Sequence, residues 1–368
     1  MLNKKLVKHI DVGLIIVVIL LFAISVVMIS SATHVTKYGI TRQVKMQVIA
    51  FSLGVIVVMI MLIIDYNTFS SFAKPIYIGS IILLLCVYVP GLGKAQYGAR
   101  SWINLGPVDI QPSEIVKIGF ILSFAKFLEK RQNRLDTLKE LMAVFLYAAP
   151  PILLVLKEPD LGNALVFVVI MIGMTFASGL NYKFITRGLL VGAVCTPIAY
   201  KFMAPHQKVR IDAYLNPADL SLPGNYQVMQ SKIAIGSGKL IGKGLYNGTQ
   251  NNNNFLPVQE SDFIFAVIGE EFGLIGGIIV LALYFIFLYK MIKITKGAKD
   301  KYGSLVVVGI TSMFAFQIFE NIGMTMGVMP VTGVTLPFIS YGGSSILTNM
   351  VAIGIVLNVG MRRQKINF

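Results

Sequence analysis

Cysteine is almost absent from this chain. Cys86 and Cys195 are the only two in 368 residues, and both fall in apolar runs, so no disulfide framework is implied. Histidine is nearly as scarce: His9, His34 and His206 stand apart from one another and from any Cys or carboxylate cluster, which argues against a zinc centre. Charge is thin too, at 13% of residues, and acids are the rarer sign, 17 against 32 Lys and Arg. Acid–base chemistry must therefore rest on a few carboxylates, Lys or Tyr. What is abundant excludes a soluble domain: 55% of residues are hydrophobic and the mean hydropathy is +0.75. The apolar runs repeatedly reach the ~20 residues that cross a bilayer as a helix.

The hydropathy pattern predicts an all-α, polytopic membrane protein of about ten spans. They lie near 10–32, 44–64, 74–91, 113–129, 139–157, 161–180, 184–204, 262–291, 304–328 and 338–361. The N-terminal apolar run is too long for a signal-peptide core and reads as the first span. The basic clusters "NKKLVK", "EKRQNR", "KMIKITKGAKDK" and "MRRQK" fall between alternate spans. By the positive-inside rule they place both termini in the cytoplasm. A single integral-membrane domain over 1–368 is expected, with two functional external loops at 92–112 and 205–261. A structureless loop as long as the second is unusual in a compact domain. Within it "NYQVMQSKIAIGSGKL" has the apolar spacing of a short amphipathic or re-entrant helix.

Several stretches carry candidate chemistry. "GSGKLIGKG" (Gly236–Gly244) is not a Walker loop, because its glycine spacing is one residue short and Gly244 stands where the magnesium-binding hydroxyl would be. It reads either as a flexible loop with surface lysines or as a backbone able to approach a diphosphate. Glu114 and Lys117 are one turn apart and share a helix face, as a structural ion pair or as a pair turned toward a cavity. In "KEPDLG", Pro159 breaks one span and Asp160 is placed to cap the next. Asp262, at the doorstep of "FIFAVIG", is equally placed to cap that helix or to act as a general base at the water–membrane boundary. Glu270, Glu271 and Glu320–Asn321 read as polar contacts inside the bundle. "PVTGVTLPFISYGGSS" (Pro330–Ser345), rich in helix breakers and hydroxyls, reads as a cavity wall.

Five blocks, in order, resemble the SEDS proteins, the bacterial shape, elongation, division and sporulation group that includes RodA, FtsW and SpoVE. They are "GARSWINLGPVDIQPSEIVKI", "KEPDLGNALVF", "NYQVMQSKIAIGSGKLIGKGLYNGTQ", "FLPVQESDFIFAVIGEEFGLIG" and "PVTGVTLPFISYGGSSILTNM". Within the group the chain is most similar to RodA, with Ser261 replacing the commoner threonine before Asp262. The resemblance implies a peptidoglycan glycosyltransferase that polymerises lipid II outside the cytoplasmic membrane, for elongation and shape. It implies Asp262 as the base on the acceptor sugar hydroxyl. It further implies substrate contacts at Arg100, Trp102, Glu114, Lys117, Asp160, Gln230 and Lys232. Arg210 adds a cation for the diphosphate, and Ser340 a hydroxyl in the cavity wall. A divalent cation, Mg or Mn, could help neutralise the diphosphate, although no all-protein metal cage is visible. The implied partner is a class B penicillin-binding protein, a transpeptidase.

Three other readings remain open at this level, one of them a non-catalytic scaffold that activates a partner. A lipid II flippase would also need many spans with buried charge, and a sporulation or division paralogue would carry the same motifs. The concentration of motifs on one predicted face favours the enzyme.

Overall fold

The computed structural model of this chain describes residues 6, 8–33, 40–96, 99–104, 109–131, 137–180, 205–253 and 255–363, with scattered positions between 183 and 203. In chain order its helices are α1 (Val12–Ala32), α2 (Arg42–Ile63), α3 (Tyr66–Ser71), α4 (Ala73–Leu85), α5 (Pro112–Glu129), α6 (Leu138–Lys157) and α7 (Leu161–Ala177). They continue as α8 (Pro205–Leu215), α9 (Asn225–Ser237), α10 (Thr249–Asn252), α11 (Ile264–Lys296), α12 (Lys301–Thr325) and α13 (Gly343–Met361). Every expected span overlaps one of these helices except 184–204, most of which lies outside the described residues. Among the described residues six helices are long and apolar enough to cross a membrane: α1, α2, α6, α11, α12 and α13. Helix α5 holds Glu114, Lys117, Lys126 and Glu129 within its length, so it depends on packing rather than on hydropathy.

Side chains set many of the helix starts. The first amides of a helix have no partner within it. Asp11, Thr41, Thr137, Asp160 and Asp300 each accept from one of them, and Pro112 fills the first position of α5, where no N–H is needed. Asp160 therefore does cap α7, as its position in the sequence predicts.

Burial separates the inner helices from the outer ones. In their most apolar windows 83% of α13 and 61% of α12 is buried, against 22% for α2 and α6, which places α12 and α13 at the centre and leaves α2 and α6 facing lipid. Helix α12 packs on α11, α7 and α5, and α13 packs along α2.

Three features were not legible in the apolar pattern. First, the 92–112 loop contains a three-stranded antiparallel sheet, β1 (Gly93–Gln96), β2 (Ala99–Asn104) and β3 (Asp109–Ile110), with Lys94 opposite Trp102. Second, α11 starts at Ile264 rather than at Asp262 and is broken at Gly273, whose φ of 64° and ψ of −159° lie outside the helical region. In lipid the backbone groups freed by a break must find protein partners. They find them in the glycine-rich segment: Leu274 and Ile275 donate to the carbonyls of Lys239 and Leu240 (2.9 and 3.1 Å), while Lys243 and Gly244 donate to those of Glu270 and Glu271 (both 3.0 Å). At Gly242 and Gly273 a Cβ would collide with the facing backbone. The glycines of "GSGKLIGKG" thus serve a backbone-to-backbone clamp, which neither reading of the sequence foresees.

Third, the chain between α12 and α13 is irregular, as its Pro and Gly residues predict. It is held by Phe338, fully buried against Phe287 and Phe314 at ring-centroid distances of 5.8 and 5.7 Å, and by Tyr284, whose hydroxyl donates to the Pro337 carbonyl at 2.6 Å.

Candidate functional site

Two polar clusters form at the end of the bundle where α5, α7, α11 and α13 begin. The first joins α5 to α7. Lys117, with no exposed surface, donates to Glu114 Oε1 at 2.7 Å and to Asn163 Oδ1 at 3.0 Å. Asn163 Nδ2 donates to Asp160 Oδ2 at 2.7 Å, and Gln111 Nε2 donates to the same oxygen at 2.9 Å. Burial pushes the Asp160 carboxyl above the usual range, opposed by the Asn163 hydrogen bonds and the Lys117 charge. Glu114 Oε2 has no partner among the described residues. A buried ammonium facing two carboxylates would be costly if any one were unpaired, so the group is a single electrostatic unit. The expected Glu114–Lys117 pair is present, and Asp160 belongs to it through Asn163.

The second cluster surrounds Asp262, which stands in the turn just before α11. Its backbone is fixed from three sides. Ser340 Oγ donates to the Ser261 carbonyl at 2.5 Å, Tyr341 N–H donates to the Glu260 carbonyl at 2.9 Å, and Asn321 Nδ2 donates to the Asp262 carbonyl at 3.0 Å. Ser340 is itself anchored, because its carbonyl accepts from Gln47 Nε2 at 3.0 Å and Gln47 also donates to Ser25. The carboxylate accepts from Ser261 Oγ at 3.0 Å. Burial pushes the Asp262 carboxyl up to about 6, aided by Glu260 and opposed by the Ser261 hydrogen bond and the charge of Arg210. In this geometry its side chain accepts no first-turn amide of α11, so Asp262 is not the cap of that helix.

The 332–334 segment forms a wall between the clusters. Gly162 lies so close to it that a Cβ would meet Val334 Cγ2 at 2.6 Å, and a Cβ on Gly333 would lie 3.6 Å from Asp262 Oδ2. Asn321 spans the wall by donating to both the Val334 and Asp262 carbonyls (2.8 and 3.0 Å). Asn321→Leu is therefore expected to orphan two carbonyls and cost about 1–3 kcal/mol for each. Thermal unfolding in detergent would show this as a lowered midpoint; an unchanged midpoint would mean that the amide is replaceable.

Helices α8 and α9 and the 327–331 segment enclose a pocket lined by Arg210, Tyr214, Val228, Lys232 and Gly327, among others, and the Arg210 charge reaches Asp262. Tyr214 Oη donates to the Val328 carbonyl at 2.9 Å and Ser231 Oγ to that of Thr325 at 2.7 Å, which ties both helices to the end of α12. Among the described residues neither Arg210 nor Lys232 forms a side-chain hydrogen bond or a close ion pair, so the pocket holds two cations whose donors are open, the charge of Arg210 acting on Asp262 from a distance. Gln230 is half-buried on α9, and Trp102 is half-buried on β2. The side chain of Arg100 lies outside the described residues.

Sequence reasoning missed Asn163 and Gln47, and did not separate Asn321 from its neighbours; the available signal was an amide on an otherwise apolar helix. The described residues contain no group of three His, Cys, Asp or Glu side chains able to hold a metal. Glu320 lies apart from Asp262 chemically, bonded to Thr332 at 2.9 Å.

Fold and site together define a polytopic membrane protein with a charged, partly buried site at one end of its helix bundle. The chain belongs to the FtsW/RodA/SpoVE family, whose model, described as a cell cycle protein, matches residues 12–365. It is 38% identical to stage V sporulation protein E of Bacillus subtilis, over 95% of this chain and 96% of that protein. It is 35% identical to the peptidoglycan glycosyltransferase MrdB of Escherichia coli, over 98% and 95%. Among solved structures it resembles a chain of a peptidoglycan synthase complex that coordinates polymerization and crosslinking, with TM-score 0.84, 30% identity and coverage of 97% of this chain and 99% of that one. The rod shape determining protein RodA of Thermus thermophilus is also similar, with TM-score 0.72, 28% identity and coverage of 97% and 98%.

Proposed function

We propose that this protein polymerises lipid II into glycan strands at the outer face of the bacterial cytoplasmic membrane, with Asp262 as the general base. Membership of a family whose relatives are named peptidoglycan glycosyltransferases makes the chain an enzyme of that class. The observation that carries the finer reading is a half-buried carboxylate, pushed up to about 6, that feels the charge of Arg210, which lines a pocket together with Lys232.

The chemistry follows from that arrangement. Asp262 takes the proton of the acceptor sugar hydroxyl as the hydroxyl oxygen bonds to the anomeric carbon of the donor. The anomeric carbon–oxygen bond to the polyprenyl diphosphate breaks, and the diphosphate leaves with the electron pair. Arg210 and Lys232 meet the growing negative charge, so no covalent nucleophile is needed. Trp102 and Arg100 contribute substrate contacts from the 92–112 loop. The Glu114–Lys117–Asp160 unit meets substrate through Asp160, its partly exposed member, while Lys117 is buried behind it, and Gln230 contributes from α9. A divalent cation would bind with the diphosphate itself. In this reading both termini are cytoplasmic, the 92–112 and 205–261 loops are external, the working partner is a class B penicillin-binding protein, and the role is in elongation and shape.

The test is a purified protein–partner complex supplied with labelled lipid II. Arg210→Gln and Lys232→Gln are each expected to lower kcat/KM about 10- to 100-fold, the loss of one charge-assisted contact. Lipid movement across sealed vesicles without glycan chains would replace this reading with the flippase.

A further inference from the structure

The two acids on α11 beyond Asp262 are both buried, and neither takes part in the chemistry above. Glu270 collects an unusual set of donors. Its Oε1 accepts from Lys243 Nζ at 2.7 Å, from the Gln250 amide at 2.9 Å and from Thr249 Oγ1 at 3.2 Å; its Oε2 accepts from the Asn251 amide at 3.3 Å. Every one of these donors lies in the loop that leaves the Gly273 clamp and returns to the start of α11. Glu271 extends the attachment to α1, accepting from Ser31 Oγ at 2.5 Å and from Asn251 Nδ2 at 3.1 Å. The same loop is held again at Gln259, whose Nε2 donates to the Ala32 carbonyl at 2.9 Å. Three residues later comes Asp262.

We propose that Glu270 is a positioning residue for Asp262: its carboxylate closes the 243–270 loop as a clasp and so sets where the Asp262 turn stands. The argument is geometric. Glu270 and Asp262 are carried by one helix and the turn before it, while the intervening loop is pinned at its start by Lys243 and at 249–251 by the same carboxylate. With the clasp closed, Asn251 and Gln259 are both anchored ahead of the turn that Ser340, Tyr341 and Asn321 hold from the other side. With it open, the loop keeps Asn251 on Glu271 and Gln259 on the Ala32 carbonyl and the turn keeps those three contacts, but the four bonds to the Glu270 carboxylate are lost. The inference rests on the reading of Asp262 as the reacting base. Reacting groups tolerate little displacement, since a shift of about 1 Å can cost a hundredfold in rate.

The experiment uses the full chain in nanodiscs with its transpeptidase partner. Hydrogen exchange is followed across residues 249–262, and steady-state polymerisation of labelled lipid II is followed against pH. Glu270→Ala removes the clasp; Glu270→Gln keeps one acceptor oxygen for Thr249 and the Gln250 amide but turns an NH2 toward the Asn251 amide and loses the Lys243 ion pair. Lys243→Met removes the same ion pair from the other side and stands in should the alanine variant fail to fold. In Glu270→Ala, exchange across 249–262 is expected to rise and kcat to fall, each by about tenfold, with KM within about twofold. The acid limb should move to lower pH, because a loosened turn admits water and burial is what holds Asp262 high; Glu260 and Arg210, the charges bearing on it, stay in place. Glu270→Gln and Lys243→Met should fall between native and alanine. Native kcat, KM and acid limb in Glu270→Ala would overturn the proposal, whatever the exchange shows. If even the native chain makes no glycan, the proposed function fails; native exchange in Glu270→Ala would then overturn the clasp separately.

Discussion

Asp262→Asn is expected to reduce glycan synthesis by about 10²- to 10⁴-fold, the usual contribution of a positioned general base, and to do so in a protein that is no less stable. The amide keeps the size of the side chain and can still accept from Ser261, so the turn survives. Burial, the larger influence on this carboxyl, raises it to about 6. A group raised in the folded state stabilises that state below its unfolded value, near 4, and loses that contribution as pH rises through about 6. At neutral pH the native protein therefore carries an anion that the site disfavours, and the neutral amide removes the cost. Asp262→Asn should unfold at a higher temperature than the native chain at pH 8, by an increment worth about 1–3 kcal/mol, and the gap should close near pH 4. The native pH–rate profile should fall on its acid side near pH 6, where the base becomes protonated. Normal polymerisation by a well-folded Asp262→Asn variant would remove Asp262 from the chemistry.

Lys117→Met should give the largest loss of stability. Lys117 is fully buried, and its removal leaves Glu114 and, through Asn163, Asp160 without their cation. Breaking one side of a buried ion pair costs about 3–5 kcal/mol, because the remaining charge is stranded. Replacing Glu114 as well, as Glu114→Met in the same chain, should recover part of that stability, since both members of the hydrogen-bonded ion pair then disappear together and Asp160 keeps its Asn163 and Gln111 bonds. Activity should stay lost in the double variant if the unit meets substrate. Unfolding midpoints in detergent for the two single variants and the double distinguish these outcomes; equal midpoints for Lys117→Met and the double variant would show that stranded charge is not the cause.

The contrast between Asp160 and Asp262 shows how far the sequence reaches. The spacing of Glu114 and Lys117 is local, one helical turn, so their pairing is legible in the chain itself. Asp160 is equally legible as a helix cap, because capping depends on the next three residues of chain. Its membership of the Lys117 unit is not, since Asn163 makes that link across two helices. For Asp262 the local rule fails: the position reads as a cap, yet contacts from α12 and the 340–341 turn hold the backbone, and its side chain meets Ser261 instead of the first turn.

"GSGKLIGKG" shows the same limit from the other side. Its composition announces a place where backbone must come close to something, and the partner is the backbone of α11 at Gly273. No pattern within the segment names that partner, because the two stretches meet through hydrogen bonds between main chains, which carry no side-chain signature.

By itself the sequence determined that this is a helical membrane protein, where its spans lie, which family motifs it carries and which few ionisable residues are available. Those are consequences of hydrophobic run length and of contacts within a helical turn. The tertiary structure alone decided which polar groups share a charge, what fills the break in α11, and how Arg210, whose charge acts on Asp262, comes to line a pocket with Lys232. Hydrogen bonds and charges act over a few ångströms of space, and the residues that supply them here lie tens to hundreds of positions apart along the chain.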